Sequence, residues 1–429
     1  WAFIPHNLLY KLRRMRIKDP DCGYYLNHEF FVDGTPAIAD VYFNGAWRTV
    51  LVCGQGPGWG KNQKCYYFAL DVTNPLDPKP LWEFTDYYMG ETWSVPKIAR
   101  IKSPDKWVVF FGSGYDNDYN PKVAIGHYFY VVDVATGELL KSFKVGKDLE
   151  VSKYGIQNTL PGSPETIDKN KDGYDDAVYF GDLLGRIWKI DLSLNYTNWE
   201  VKKIYEDPFN FPIFTKPAVI YSALDQTVRL YFGTGGDDKA PNSSIYSFVA
   251  LADTDQGAIV EWYLGSEDFG KSLKLTPEKQ KGTFVIGEKV WADPVIIERT
   301  IYIATLEGSI ESINPCKSTV GKGKIYARYT LGNQMGGSAL MSSQGDAINF
   351  METLQKVRSA VTVGSIKDIR SQSGQPPMNF REVFIQSFTQ PTPGSEPPYP
   401  PSQVLAQPIS PNVLVIKEWR EIYKIQRIK

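Results

Sequence analysis

The chain has 429 residues, and its 47 lysines and arginines are balanced by 48 aspartates and glutamates, which gives a formal net charge of −1. This balance argues against a nucleic-acid-binding protein, because affinity for a phosphate backbone requires a concentrated basic surface. The hydrophobic fraction of 42% is ample for a folded core, and 36 glycines with 29 prolines favour many short strands joined by turns. Composition therefore indicates a globular all-β protein.

The first residues of the chain have the pattern of the middle of a β-strand. Trp1–Phe3 is mostly apolar and is predicted to be an outer strand, so we expect a longer protein whose upstream part is missing here. The sequence has no run of about 18 apolar residues, and no transmembrane helix is predicted.

Four cysteines bear on the compartment. Cys53 and Cys65 flank the glycine-rich segment 54–60, a spacing typical of a disulfide that closes a β-hairpin. Cys22 and Cys316 are distant in sequence and could pair only if the fold closes on itself. Four cysteines allow three pairings, among which the sequence does not choose, and four buried free thiols are the alternative. The Cys53/Cys65 spacing favours an oxidising compartment.

A repeating unit organises the chain. Strands that end in an acidic or amide residue recur every 58 to 62 residues, their last residues being Asp71, Asp133, Asp191, Asp253 and Asn314. Each unit also has an apolar inner strand that ends in a small residue, as in Trp107–Gly112, Ala177–Gly181, Leu230–Gly233 and Ile301–Ala304. Aromatic-rich outer strands follow at Leu81–Phe84, Leu140–Phe143, Trp199–Val201, Glu261–Tyr263 and Lys324–Tyr326. Self-similarity without intervening helices predicts an all-β fold, a β-propeller of about seven blades; a stacked sandwich is the alternative.

The domain organisation follows from this repeat. Residues 1–345 are assigned to the propeller, and helical spacing in residues 346–361 predicts a short helix. The segment 346–411 is otherwise expected to be irregular, because ten prolines lie in residues 375–411. Residues 412–429 are predicted to form a C-terminal strand that closes the propeller, since an open first blade would expose an edge.

One acidic loop carries the pattern of a metal site. In Asp168–Asp176, side chains with oxygen atoms recur at positions 1, 3, 5 and 9, and Gly173 stands at position 6. This is the first part of a calcium-binding loop, in which a backbone carbonyl fills position 7. The predicted Ca²⁺ ligands are Asp168, Asn170, Asp172, Tyr174 (through its carbonyl) and Asp176.

The loop differs from a calcium sensor. An EF-hand places a glutamate at position 12, but that position is Tyr179, so the loop leads into a strand. An acidic surface turn is the alternative, because Asp, Asn and Gly are ordinary turn residues. Asp175 breaks the spacing and is expected to face solvent. The sequence has no Gly-x-Ser-x-Gly, phosphate-binding P-loop or His-Glu-x-x-His motif, and no catalytic activity is predicted.

The repeat resembles the blade of quinoprotein propellers, most clearly in residues 132–143. Quinoprotein dehydrogenases of this kind hold pyrroloquinoline quinone with calcium, often beside a disulfide of adjacent cysteines, and no two cysteines are adjacent here. A dehydrogenase dependent on this quinone is the enzymatic alternative, and a carbohydrate-binding propeller is a third hypothesis.

A set of segments along the chain resembles one family more closely. These segments are Trp1–Pro5, Phe31–Pro36, Gly45–Val52, Ala69–Thr73, Trp107–Gly114, Gly181–Asp191 and the closing Glu418–Ile422. As a set they resemble the PilY family of type IV pilus proteins. The resemblance implies the C-terminal propeller domain of a large secreted protein at the pilus tip or on the outer-membrane surface of a bacterium.

The resemblance also implies a non-catalytic role. Proteins of that family support pilus biogenesis, twitching motility and adhesion to host or abiotic surfaces, and minor pilins of the tip complex are the implied partners. Calcium in the matching loop opposes pilus retraction. Because the family often has Asp at the third loop position, Asn170 removes one charge and is expected to weaken calcium binding.

Overall fold

The computed structural model describes residues 2–14, 29–61, 63–116, 125–237, 239–307, 313–314, 317–318, 323–341, 347–353, 362–369, 378–385 and 403–408. Helical structure in these ranges is limited to α1 (Lys11–Arg14), α2 (Glu267–Ser272) and the 3₁₀ turns His6–Leu8, Tyr196–Asn198 and Pro277–Lys279. None of these helices has the length and apolar character needed to cross a membrane. Nearly all other regular structure is β.

Four consecutive antiparallel sheets, each with four strands in chain order, form the first part of the molecule. Sheet 1 contains β1 (Ala37–Phe43), β2 (Ala46–Gly54), β3 (Tyr67–Asp71) and β4 (Lys79–Phe84). Sheet 2 contains β5 (Lys97–Ile101), β6 (Lys106–Gly112), β7 (Tyr128–Asp133) and β8 (Leu139–Lys144). Sheet 3 contains β9 (Glu165–Ile167), β10 (Ala177–Gly181), β11 (Arg186–Asp191) and β12 (Val201–Glu206). Sheet 4 contains β13 (Ala218–Ser222), β14 (Thr227–Gly233), β15 (Phe248–Thr254) and β16 (Gly257–Leu264).

The later part of the chain is also built of strands. Their bounds are β17 (Glu288–Val290), β18 (Val295–Ile297), β19 (Thr300–Glu307), β20 (Ile313–Asn314), β21 (Lys317–Ser318), β22 (Gly323–Tyr329), β23 (Leu340–Met341), β24 (Ala347–Ile348), β25 (Met351–Thr353), β26 (Thr362–Ile369), β27 (Met378–Ile385) and β28 (Gln403–Pro408). Sheet 5 has the order β17-β19-β22-β25, and β18 also pairs with β19. A three-stranded sheet with the order β26-β27-β28 follows, while β20 pairs with β21 and β23 with β24.

Four large hydrophobic cores lie between consecutive sheets. Within β10, Val178 and Phe180 pack toward sheet 2, whereas Ala177 and Tyr179 pack toward sheet 4. Successive side chains of a strand point to opposite faces, so a strand covered on both faces reads as a continuous apolar run. The pairs that represent the four inter-sheet cores are Tyr67 with Phe111, Phe129 with Phe180, Tyr179 with Phe232, and Tyr231 with Ile303. This stacking of sheets is the arrangement of propeller blades.

The acidic residue that recurs every repeat has a local structural cause. In sheets 1 to 3 it is the last residue of the third strand, and it caps the turn to the fourth. Asp71 accepts a hydrogen bond from the amide of Thr73 (3.0 Å), and Asp191 accepts one from Ser193 (2.9 Å). Asp133 accepts the equivalent bond from Ala135 (2.9 Å). Aspartate is favoured at such corners because its side chain bonds the backbone two residues further on.

Each of sheets 2 to 4 has a strand that the sequence did not predict. The apolar strands predicted to be innermost, such as Ala177–Gly181, are second in their sheets. A further strand lies inside each of them, and the first strands β5, β9 and β13 contact one another in succession. They were missed because β9 has three residues and β5 mixes charged with apolar side chains.

Sheet 5 corrects the fifth repeat. Its third strand is β22, which contains Lys324–Tyr326, the segment predicted to be an outer strand. The strand predicted to end at Asn314 instead forms the two-residue β20, which pairs with β21.

Predictions for both ends of the chain also change. Ala2–Phe3 is not a strand, although the Phe3 ring packs 5.1 Å from that of Phe68. The helix predicted for residues 346–361 is wrong over its described part, where β24 and β25 are extended and β25 pairs with β22. Residues 346 and 354–361 lie outside the described ranges.

The segment 346–411 is less irregular than expected. Its central strand β27 contains no proline, and Pro408 lies at the end of the edge strand β28, where a missing N–H donor is tolerated. The predicted closing strand in residues 412–429 lies outside the described ranges, so closure by that strand and a count of about seven blades stay predictions.

Candidate metal site

The predicted calcium loop connects two paired strands of sheet 3. Residues 168–176 join β9 to β10, whose register places Ile167 opposite Ala177. The amide of Asp176 donates to the carbonyl of Ile167 (2.7 Å), and the carbonyl of Asp176 accepts from Leu192 (2.9 Å). Gly173 has a φ of +87°, a left-handed conformation that glycine adopts without strain. The sheet thus fixes both ends of the loop, and Gly173 makes its bend.

The side-chain oxygens of the loop turn toward its own backbone. Asp168 accepts hydrogen bonds from the amides of Asp172 (3.3 Å) and Gly173 (2.8 Å). Asn170 Oδ1 also accepts from Asp172 (2.9 Å), and Asp172 Oδ1 accepts from Tyr174 (3.0 Å). Asp176 Oδ2 closes the loop by accepting from the amide of Lys169 (2.7 Å). The structure therefore brings all the predicted ligand residues into one hydrogen-bonded loop.

Two basic residues from sheet 2 complete the site, and the sequence did not predict them. Lys102 Nζ lies 2.9 Å from Asp172 Oδ2, and this hydrogen bond holds the pKa of Asp172 below its ordinary value. The Arg100 guanidinium stacks 4.5 Å from the centre of the Tyr174 ring, and the Arg100 carbonyl accepts from the amide of Asp175 (2.9 Å). About seventy residues separate these partners in sequence, so only the adjacency of sheets 2 and 3 reveals them.

The donor set can be tested against the chemistry of calcium. Carboxylate, amide and carbonyl oxygens are the hard ligands that Ca²⁺ requires, and the Lys102 ammonium already places a cation against Asp172. Within the described ranges, however, no three Asp, Glu, His or Cys side chains form a group that could hold a metal ion. The residue types fit calcium, but the carboxylates are engaged by backbone amides and by Lys102, so binding requires them to turn.

Asp175 does not face solvent as predicted. Asp175 is half-buried beside the contact of its amide with Arg100, and desolvation raises the pKa of its carboxyl. Asp175 therefore belongs to the packing between sheets 2 and 3 rather than to the exposed part of the loop.

The disulfide predicted between Cys53 and Cys65 is absent, and both residues are buried free thiols. The register of β2 and β3 places Phe68 opposite Cys53, while Cys65 precedes β3, so the two cysteines are not cross-strand neighbours. The Cys53 thiol points at the carbonyl of Gly34 (3.3 Å), and burial raises its pKa to about 12. Cys22 and Cys316 lie outside the described ranges.

Comparison with known proteins places these features in a family. The sequence model of the family described as "PilY1 beta-propeller domain" matches residues 6–234, a range that contains the acidic loop. The type IV pilus biogenesis factor PilY1 of Pseudomonas aeruginosa (strain UCBPP-PA14) is 40% identical over 201 residues, which cover 46% of this chain and 16% of that protein. A PilY1 homolog of Xylella fastidiosa (strain Temecula1) is 30% identical over 270 residues, covering 61% of this chain and 20% of the relative. The matched region is thus a small part of these relatives.

A solved structure confirms the architecture. The crystal structure of the C-terminal domain of Pseudomonas aeruginosa PilY1 superposes with a TM-score of 0.56 at 21% identity and covers 82% of both chains. At this identity the likeness concerns the fold, and it confirms the predicted β-propeller.

Proposed function

Because the chain belongs to the PilY1 β-propeller family, we propose that it is the calcium-binding module of a secreted type IV pilus protein. The module would act at the pilus tip or on the outer bacterial surface, where it supports pilus biogenesis without catalysis. Assembly with minor pilins, adhesion to a host or abiotic surface and support of twitching motility are the roles that we propose for the whole protein.

The loop at residues 168–176 is the observation that carries this proposal. It lies inside the matched region, and its oxygen-bearing side chains are gathered in one hydrogen-bonded loop, from which they would turn to the ion. Asp168, Asn170, Asp172, the Tyr174 carbonyl and Asp176 would hold the ion, which would supply positive charge to offset three carboxylates. Gly173 provides the bend, and the paired ends of β9 and β10 keep the loop in place.

Calcium binding is tested by isothermal titration calorimetry. Wild-type protein should bind Ca²⁺, and Asp172→Ala should lose binding while its circular dichroism is unchanged, because Asp172 is an exposed loop residue. Asp77→Ala is the matched control, since it removes an exposed acidic side chain from a turn far from the loop. Equal titration of wild type and Asp172→Ala would show that the loop is not the metal site.

The absence of catalysis has its own test. The protein is incubated with calcium and pyrroloquinoline quinone, and the oxidation of an alcohol is followed by reduction of a dye. We expect no turnover, and quinone-dependent turnover above that of heat-denatured protein would contradict a purely structural role.

A further inference from the structure

The acidic loop lies against the turn that joins β5 to β6 in the neighbouring sheet. Several contacts cross between the sheets at this point, among them a 5.6 Å approach of the Lys102 ammonium to the centre of the Tyr174 ring. The Asp175 amide donates to the Arg100 carbonyl (2.9 Å), the Arg100 guanidinium stacks on Tyr174 (4.5 Å), and Lys102 Nζ pairs with Asp172 Oδ2 (2.9 Å). The conformation of the loop is therefore coupled to sheet 2 as well as to its own sheet.

The two basic residues at this contact, Arg100 and Lys102, differ in the location of their ion-pair partners. Arg100, in β5, forms a two-point ion pair with Asp105 in the turn that follows, with both nitrogen–oxygen distances 2.8 Å. Lys102 has no carboxylate on its own turn within ion-pair distance; among the described residues its ion pair is with Asp172 alone. The Lys102 side chain is 64% exposed, so it can leave Asp172 without disturbing a core.

We propose that Lys102 is a tethered competitor of calcium. Its ammonium group neutralises Asp172 when the metal is absent, and it must leave Asp172 when that carboxylate turns to the metal. This inference rests on the proposed function of the loop. It assigns to Lys102 the role of setting the calcium affinity, although Lys102 is not a ligand.

The size of the effect follows from Coulomb's law. A divalent and a monovalent cation about 4 Å apart repel one another enough, even in water, to weaken binding by roughly thirtyfold. Salt screening and the freedom of an exposed lysine to move away reduce this to about tenfold. Because Lys102 lies in the turn between two strands of sheet 2, calcium binding would also remove an ion pair that links sheets 2 and 3.

The experiment compares the calcium affinity of two charge-removing variants. Lys102→Met should bind Ca²⁺ about tenfold more tightly than wild type in 20 mM salt, and about twofold to threefold more tightly in 0.5 M salt. Lys171→Met is the matched control, because Lys171 is an exposed residue of the loop that forms no ion pair among the described residues. Its change should stay below about threefold at low salt.

Hydrogen exchange provides a second readout that does not depend on affinity. Without calcium, the amides of residues 172–176 should exchange faster in Lys102→Met than in wild type, because the ion pair to Asp172 is gone. Saturating calcium should abolish this difference.

The outcomes separate the two proposals. Equal affinities of Lys102→Met and Lys171→Met, with wild type still binding, would overturn the role of Lys102 and leave the calcium site intact. If Lys102→Met binds calcium while wild type and Lys171→Met do not, Lys102 would be shown to block the site completely. If no variant binds calcium, both the calcium proposal and this inference fail.

Discussion

The two ends of strand β10 carry acidic residues in opposite situations. At one end lies the exposed loop of residues 168–176, and at the other Asp182 follows Gly181 and is fully buried. Asp182 Oδ1 accepts from the amides of Leu184 and Arg186, both at 3.0 Å. Its Oδ2 accepts from the Arg186 guanidinium (2.6 Å) and the Trp188 indole (2.8 Å).

This difference separates a structural carboxylate from one available to a ligand. Donors inside the fold satisfy both oxygens of Asp182, so a metal would gain nothing by approaching it. In the loop, the outer partner of Asp172 is an exposed lysine that solvent can replace. The segment Gly181–Asp191, which contributes to the family resemblance, therefore reflects stability of the blade, whereas function is expected at the other end of the strand.

The largest effect is expected from removing the buried carboxylate. Asp182→Ala leaves the Arg186 guanidinium, already buried, without its closest partner, and should lower the free energy of unfolding by about 3–5 kcal/mol. Asp172→Ala without calcium should leave it nearly unchanged, because an exposed ion pair contributes little. Urea denaturation measures both, and similar losses for the two variants would refute the distinction.

A second prediction concerns pH dependence on the buried side. Asp207 donates its amide to the carbonyl of Gly185 (2.8 Å), and burial raises its pKa to about 7. In the unfolded chain this carboxyl ionises near pH 4, so the folded state alone retains the proton between about pH 4 and 7. The contribution of Asp207 to stability is thus complete below pH 4 and is lost as the pH rises to 7.

Asp207→Asn removes this titration. Urea denaturation from pH 4 to pH 8 should show a wild-type decline that exceeds that of the variant by up to about 4 kcal/mol. Asp172 has the opposite sign, because its pKa is lowered and its contribution is lost only as the pH falls through that pKa. Parallel pH profiles of wild type and Asp207→Asn would contradict the assignment.

Two glycines provide the smallest and most closely matched comparison. Gly185, in the buried turn, has a φ of +78°, and a Cβ there would lie 2.5 Å from the carbonyl oxygen of Phe211. Gly173 has a φ of +87° and no atom within 4 Å of an added Cβ. Gly185→Ala should therefore lower the free energy of unfolding by about 2–3 kcal/mol and Gly173→Ala by about 1 kcal/mol. Thermal denaturation that ranks them in the reverse order would show that the loop is the more constrained end.

The repeat was predictable because β10 and its equivalents are apolar on both faces, and because the third strands of sheets 1 to 3 end in an aspartate that caps the next turn. The composition of the acidic loop was equally visible, since its predicted calcium ligands lie within nine residues. The roles of Lys102 and Arg100 could not be predicted, because they depend on which blades are neighbours. The prediction of a helix at 346–361 was wrong because the helical spacing of its apolar residues arose by chance. Part of the segment instead forms β25, which pairs with β22.

Each of sheets 2 to 4 packs one face against the preceding sheet and the other face against the following sheet. The stability of sheets 2 to 4 is thus a nearest-neighbour property, in which a packing defect weakens two interfaces and is not transmitted directly to the next. Every internal interface joins the same two kinds of face, so the gain or loss of one whole repeat would leave matching surfaces. Such a chain can change in length by modules, and an acidic loop inserted at one corner need not alter the others.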